Sequence, residues 1–111
     1  MGRTKIDGIT VKWFLEAQNK NMVWIFEHKF HPKRKWRFDL ACPEQRIAIE
    51  IEGGVFIKGA HGSITGILRD VEKYNEATSL GWRVIRAIPT KITLAQIEVL
   101  VKKIINLKNN V

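Results

Sequence analysis

Three carboxylates carry the first chemical signal in this chain: Asp39, then Glu50 after ten intervening residues, then Glu52. The residues around them alternate. Trp36, Phe38, Leu40 and Cys42 take one parity and Arg37, Asp39 and Ala41 the other; Ile47, Ile49 and Ile51 alternate with Ala48, Glu50 and Glu52. Period-two alternation argues for two strands, 36–42 and 46–52. The connection Pro43-Glu44-Gln45-Arg46 is short and polar, which predicts an antiparallel hairpin. A two-residue turn and a four-residue loop there give the same register. In both, Asp39 lies directly opposite Glu50, with Cβ atoms about 4.5–5.5 Å apart. Glu52 follows two residues along on the same face. The expected sheet therefore has three acids on one face, with the isoleucines, Trp36, Phe38 and Leu40 on the other.

Like charges placed opposite one another destabilise a sheet. Such a face needs a divalent cation, a nearby Lys or Arg, or a raised pKa. Oxygen-only ligands suit Mg²⁺ or Mn²⁺, and Mg²⁺ typically uses one or two carboxylates while keeping waters and binding substrate phosphate. The plainer alternative is a solvated face whose acids pair with Arg37 or Lys73.

Charge favours the first reading. Nineteen Lys and Arg against eleven Asp and Glu leave a net +8. A surplus of this size in a small domain points to a polyanionic partner, although it also serves solubility. Its distribution is uneven: Lys29, Lys33, Arg34, Lys35 and Arg37 crowd one stretch, with His28 and His31 among them and Trp36 interleaved. That stretch reads as a phosphate-contacting strip, which sets affinity and salt dependence rather than sequence choice.

The elements that must position these residues are legible from periodicity. Ile9, Trp13, Phe14 and Ala17 recur at helical spacing over 9–18, and 22–30 is apolar and aromatic enough for a strand. A glycine-rich stretch, 53–63, follows the hairpin. Ile67, Leu68, Val71, Tyr74 and Thr78 then mark a helix that Gly81 should stop, 82–88 reads as a strand, and Thr93-Leu94-Ala95-Gln96 fits a capping box. Ile97, Leu100, Val101, Ile104 and Ile105 give the last helix an apolar stripe. The order is αβββαβα, and it predicts a single α/β domain over 1–111 with a small mixed sheet flanked by helices. Trp13, Trp24 and Trp82 are expected in the core, and Trp36 is expected to be buried by its alternation.

No apolar run is long enough for a membrane span, and 1–5 leads into a polar stretch, so a cytoplasmic protein is expected. The single Cys42 excludes an internal disulfide, and no Cys-x-x-Cys pair is present to hold zinc; the His-x-x-His of His28 and His31 has no second pair to complete four ligands.

The residues in order resemble a known superfamily. Arg37-Phe38-Asp39 and Ile49-Glu50-Ile51-Glu52-Gly53-Gly54 resemble the catalytic core of PD-(D/E)XK nucleases. With Glu27, Trp36, His61-Gly62, Asp70-Val71-Glu72-Lys73-Tyr74-Asn75 and Gly81-Trp82-Arg83-Val84-Ile85-Arg86, the pattern is similar to small phage and bacterial nucleases of the VRR-NUC and archaeal-type Holliday junction resolvase branches. The likeness spans about residues 24 to 88. It implies a restriction-endonuclease-like core and a Mg²⁺-dependent endodeoxyribonuclease, with Mn²⁺ as a substitute and branched DNA as substrate. Asp39 and Glu50 would hold the metal, with Glu27 an additional upstream ligand in some members or else a surface strand residue. Glu52 stands where the motif's lysine normally sits, a departure that leaves it to bind a second metal or orient a water. Lys73, from the following helix, would then supply the cation; its ordinary alternative is a pair with Asp70, one turn away. His61 would contact DNA or move a proton, or is a plain loop histidine. Resolving a junction implies a homodimer presenting two sites. The competing functions are a nucleic-acid-binding module that has lost catalysis, and a nickase or flap nuclease.

Overall fold

In a computed structural model the described residues are 6–52 and 64–109. They form α1 (Gly8–Gln18), β1 (Ile25–Lys29), β2 (Arg37–Cys42), β3 (Ile47–Ile51), α2 (Ile64–Ser79), β4 (Arg83–Ala87) and α3 (Leu94–Asn109). The strands make one mixed sheet in the order β1-β2-β3-β4. The first two pairings are antiparallel and β3 runs parallel to β4, so the chain between them, including α2, is a crossover connection.

Local chemistry sets the helix ends. Asp7 caps α1: its carboxylate accepts from the Thr10 N–H at 2.8 Å while the Thr10 hydroxyl accepts from the Asp7 N–H at 3.2 Å. Thr93 and Gln96 make the same reciprocal box at α3, at 2.8 and 3.1 Å, as their spacing predicts. At the other end of α2, Gly81 takes φ +85°. The Trp82 N–H donates to the Ala77 carbonyl and the Gly81 N–H to that of Thr78, the Schellman arrangement.

The sheet is packed on both faces. On one, Val11 and Leu15 of α1 and Ile97 and Val101 of α3 meet Leu40, Ile47, Ile49 and Ile85, with Trp24 fully enclosed. On the other, Phe30, Phe38, Ala41, Ala48 and Trp82 pack with Ala77 of α2. In β3 the parity is clean: Ile47 and Ile49 go to the first cluster and Ala48 to the second.

In β2 the parity fails, against the sequence expectation. Phe38 and Leu40 belong to opposite clusters, and Trp36 packs on the side of Phe38, not with the isoleucines. The break falls at Asp39, whose N–H turns to the Glu50 side chain instead of a strand ladder. On the neighbouring strand the same level is occupied by Glu27, between the pairs Phe26↔Leu40 and His28↔Phe38, and Glu27 has φ +52°. One level of irregular backbone shared by two strands reverses which side the flanking residues face.

One helix expectation is corrected as well, and one helix is buried less than its spacing alone would show. Trp13 is 67% exposed, because Val11 and Leu15, four residues apart, form the inward line of α1 and Trp13 lies between them on the outer side. Along α2, Ile67, Leu68 and Val71 are exposed and the buried residue is Ala77, since the helix touches the sheet near its C-terminal end. The apolar line of α3 holds at Ile97 and Val101, with Ile104 and Ile105 partly covered; Leu100 is on its exposed margin.

Candidate functional site

The hairpin from β2 to β3 turns through Pro43–Arg46, with Arg46 at φ +57° and the Gln45 N–H bonded to the Cys42 carbonyl. Its pairs Leu40↔Ile49, Ala41↔Ala48 and Cys42↔Ile47 carry one step further to set Asp39 across from Glu50. At that step side chains replace the backbone ladder. The Asp39 N–H donates to Glu50 Oε2 at 2.8 Å, and the Ile51 N–H donates to Asp39 Oδ2 at 2.7 Å. Two carboxylates are thereby held side by side by each other's strands.

Glu50 is only 7% exposed, and a buried carboxylate needs partners. Helix α2 supplies them. Lys73 Nζ lies 2.6 Å from Glu50 Oε1, and the Tyr74 hydroxyl donates to the same oxygen at 2.9 Å. Lys73 thus reaches across to the sheet. The pair with Asp70 is not among its described ion pairs. Burial pushes the Tyr74 hydroxyl well above its ordinary pKa, and the Glu50 charge adds to that, so the hydroxyl stays a donor.

Asp39 is in a different electrostatic position. Burial raises its pKa, and the charges of Glu50 and Glu27 raise it further, against the pull of the Ile51 N–H and Lys73. The carboxyl is therefore short of positive charge, the condition a cation relieves. Asp39 and Glu50 are oxygen donors of the type a hard divalent ion takes. Among the described residues there is no group of three or more His, Cys, Asp or Glu arranged to hold a metal.

The other acids are engaged. Glu52 follows β3, its N–H bonded to the Ala87 carbonyl at 2.7 Å, and its carboxylate is forked by the Arg86 guanidinium through Nε and Nη2. Arg86 is the strand partner of Glu50 on β4 and lies over the Tyr74 ring at 4.8 Å. Glu27 stands on β1 beside Asp39, with its carboxylate 3.8 Å from Arg37.

The basic strip is divided. Arg34 lies over Trp36 at 4.1 Å and pairs with Glu72 of α2 at 2.6 Å. His31 Nδ1 accepts from the Lys33 and Arg34 N–H groups, which leaves Nε2–H to donate to Glu76 at 2.7 Å. The segment between β1 and β2 is thus latched to the helix that bears Lys73. Lys29, Lys33 and Lys35 are exposed and form no ion pair among the described residues. His28 packs against Trp82 with ring centroids 5.6 Å apart, away from the strip, and burial lowers its pKa. His61 and the glycine-rich stretch 53–63 lie outside the described residues.

Sequence reasoning missed two members of the site. Tyr74 and Arg86 stand in the motif strings without a role of their own, yet both touch the acids. The glutamates that latch the basic segment were missed too. Glu72 and Glu76 are four apart on one helix, a spacing that places both on one face.

Compared with protein-family profiles, curated proteins and solved structures, the chain matches none. Among the described residues no helix is long and apolar enough to cross a membrane.

Proposed function

We propose that the protein is a Mg²⁺-dependent DNA endonuclease on a restriction-endonuclease-like core, of the PD-(D/E)XK kind, acting on branched DNA as a homodimer. One observation carries this reading: Lys73, delivered from α2, meets Glu50 at 2.6 Å where Glu50 lies across from Asp39. Two carboxylates and a lysine converging from different elements restore the charge arrangement that Glu52, in place of the motif lysine, would otherwise break. The net +8 and the exposed Lys29, Lys33 and Lys35 support a polyanionic substrate.

When bound, a divalent cation would supply Lewis-acid polarisation of the scissile phosphate. Asp39 and Glu50 would hold it, and Mn²⁺ would serve in its place. The chain's own part is electrostatic and positional. Lys73 places a positive charge beside the acids, where a phosphate acquiring charge in its transition state is stabilised. Tyr74, donating to Glu50, fixes which carboxylate oxygen faces Lys73. Arg86 orients Glu52, which then serves as water-orienting acid or second-metal ligand.

A second reading has its own support. Glu50 is already neutralised by Lys73 and Glu52 by Arg86, as in a binding module without catalysis. Cleavage of labelled four-way junction, flap, single-stranded and duplex DNA in Mg²⁺, Mn²⁺ or EDTA separates the two. The nuclease reading expects EDTA-sensitive cutting that Asp39→Ala abolishes and Lys73→Ala lowers by at least about a hundredfold, with binding retained. Tight binding without cutting in any metal would establish the module instead.

A further inference from the structure

Beside the acids, on the far side of Arg86, the surface opens into a groove of about 540 Å³ between the end of β4 and the first turns of α3. Ile88, Ile92, Val99 and Leu100 line it, and the charged lining residues among the described ones, Arg86 and Lys91, are both cations. Val99 is half exposed, an apolar side chain that the described fold does not cover. Gln96 adds a polar group: its Oε1 caps α3 by accepting from the Thr93 N–H, so its amide N–H₂ points elsewhere. The size and lining match those of a small-molecule site: mostly apolar, with a few polar groups to fix orientation.

Two features say what the groove receives. Its charge is complementary to a phosphate, because among the described residues no acid lines it. It is also continuous with the candidate site through Arg86, whose Cα is paired with that of Glu50 and whose guanidinium grips Glu52 through Nε and Nη2, leaving Nη1 outside the fork. A ligand that joins an apolar plane to an anion, repeated along a strand that also crosses Asp39 and Glu50, is a nucleotide in a polynucleotide.

We propose that this groove takes one unpaired nucleobase of the bound strand, with the adjoining phosphate held by Arg86 and Lys91. The inference rests on the nucleic-acid reading above and adds to it a reason for preferring unpaired or branched DNA. A base inside a continuous duplex is stacked and cannot enter, whereas one at a branch or in a single strand enters without the cost of unstacking. The base lies against aliphatic side chains, and the Gln96 amide donates to its edge.

The test uses the whole chain in EDTA, so that cleavage plays no part. Fluorescence anisotropy would compare a labelled single-stranded thymidine oligonucleotide with an abasic strand of the same length and charge. The native chain is expected to bind the base-bearing strand about tenfold more tightly. Val99→Glu, a change at an exposed helical position, should abolish that preference while its melting temperature stays near the native one. Methyl resonances of Ile88, Ile92, Val99 and Leu100 should shift with the base-bearing strand and not with the abasic one. Equal affinity of the native chain for both strands would overturn the groove and leave the nuclease reading standing. Binding of neither strand would overturn the groove as well, and the cleavage of junction and flap DNA would then decide the nuclease reading separately.

Discussion

At the scale of single residues, the molecule is organised around one conflict and its partial relief. Asp39 and Glu50 are held together by reciprocal hydrogen bonds to strand N–H groups, yet among the described residues only Glu50 has a cation at contact distance. The sign of the consequence for stability follows from linkage. Asp39 has a folded pKa raised above its ordinary 3.8, so between those two values the folded state holds more protons than the unfolded one. Its contribution to stability is present below about pH 4 and is lost as pH rises through the folded pKa. Asp39→Asn keeps an acceptor for the Ile51 N–H and removes the charge. In chelator-treated protein it should melt higher than the native chain at pH 7, with the gain vanishing near pH 3, read by thermal denaturation across pH. Added Mg²⁺ should raise the native melting temperature and leave that of the variant unchanged.

At the scale of elements, helix ends decide which residues reach the site. α2 presents Lys73 and Tyr74 to the sheet while Glu72 and Glu76 hold the basic segment, and its C-terminal stop sets the start of β4. Gly81 makes that stop at φ +85°, and a Cβ there would meet nothing within 4 Å. The cost of Gly81→Ala is therefore backbone strain alone, about 1–2 kcal/mol, visible as a lower urea midpoint with an unchanged slope. The Thr93–Gln96 box and the Gly81 stop were legible because they depend on residues a few positions apart; the Asp7 cap of α1 depends on an equally short span and was missed. Which part of α2 is buried was not legible, for a related reason. Helical spacing shows that Ile67, Leu68 and Val71 share a side, but contact with the sheet falls near Ala77.

At the scale of the whole molecule, the net +8 is a field and not a set of equal contacts. Arg34 and Arg37 face Glu72 and Glu27, whereas Lys33 and Lys35 are exposed without ion pairs among the described residues. If nucleic acid is the partner, the Lys33→Ala/Lys35→Ala double variant should reduce the slope of log affinity against log salt by about two. Arg34→Ala should change it by less than one, because Glu72 already offsets that charge. Titrations of duplex DNA at several salt concentrations would read both. A reduction of about one for Arg34→Ala, half that of the double variant, would mean that the Arg34–Glu72 pair opens on binding.

The sequence by itself determined the mixed α/β sheet, the Gly81 stop and the Thr93–Gln96 cap, the hairpin register and hence the meeting of Asp39 with Glu50. All of these follow from alternation, turn length and residues close in the chain. Tertiary structure alone decided that Lys73 and Tyr74 converge on Glu50, that Arg86 holds Glu52, and that Phe38 and Leu40 face opposite ways. The physical reason is range. Register propagates through backbone hydrogen bonds from one turn, so a local pattern suffices. Which helical residue meets which acid depends on how α2 packs against the sheet, and that is set by contacts among residues tens of positions apart.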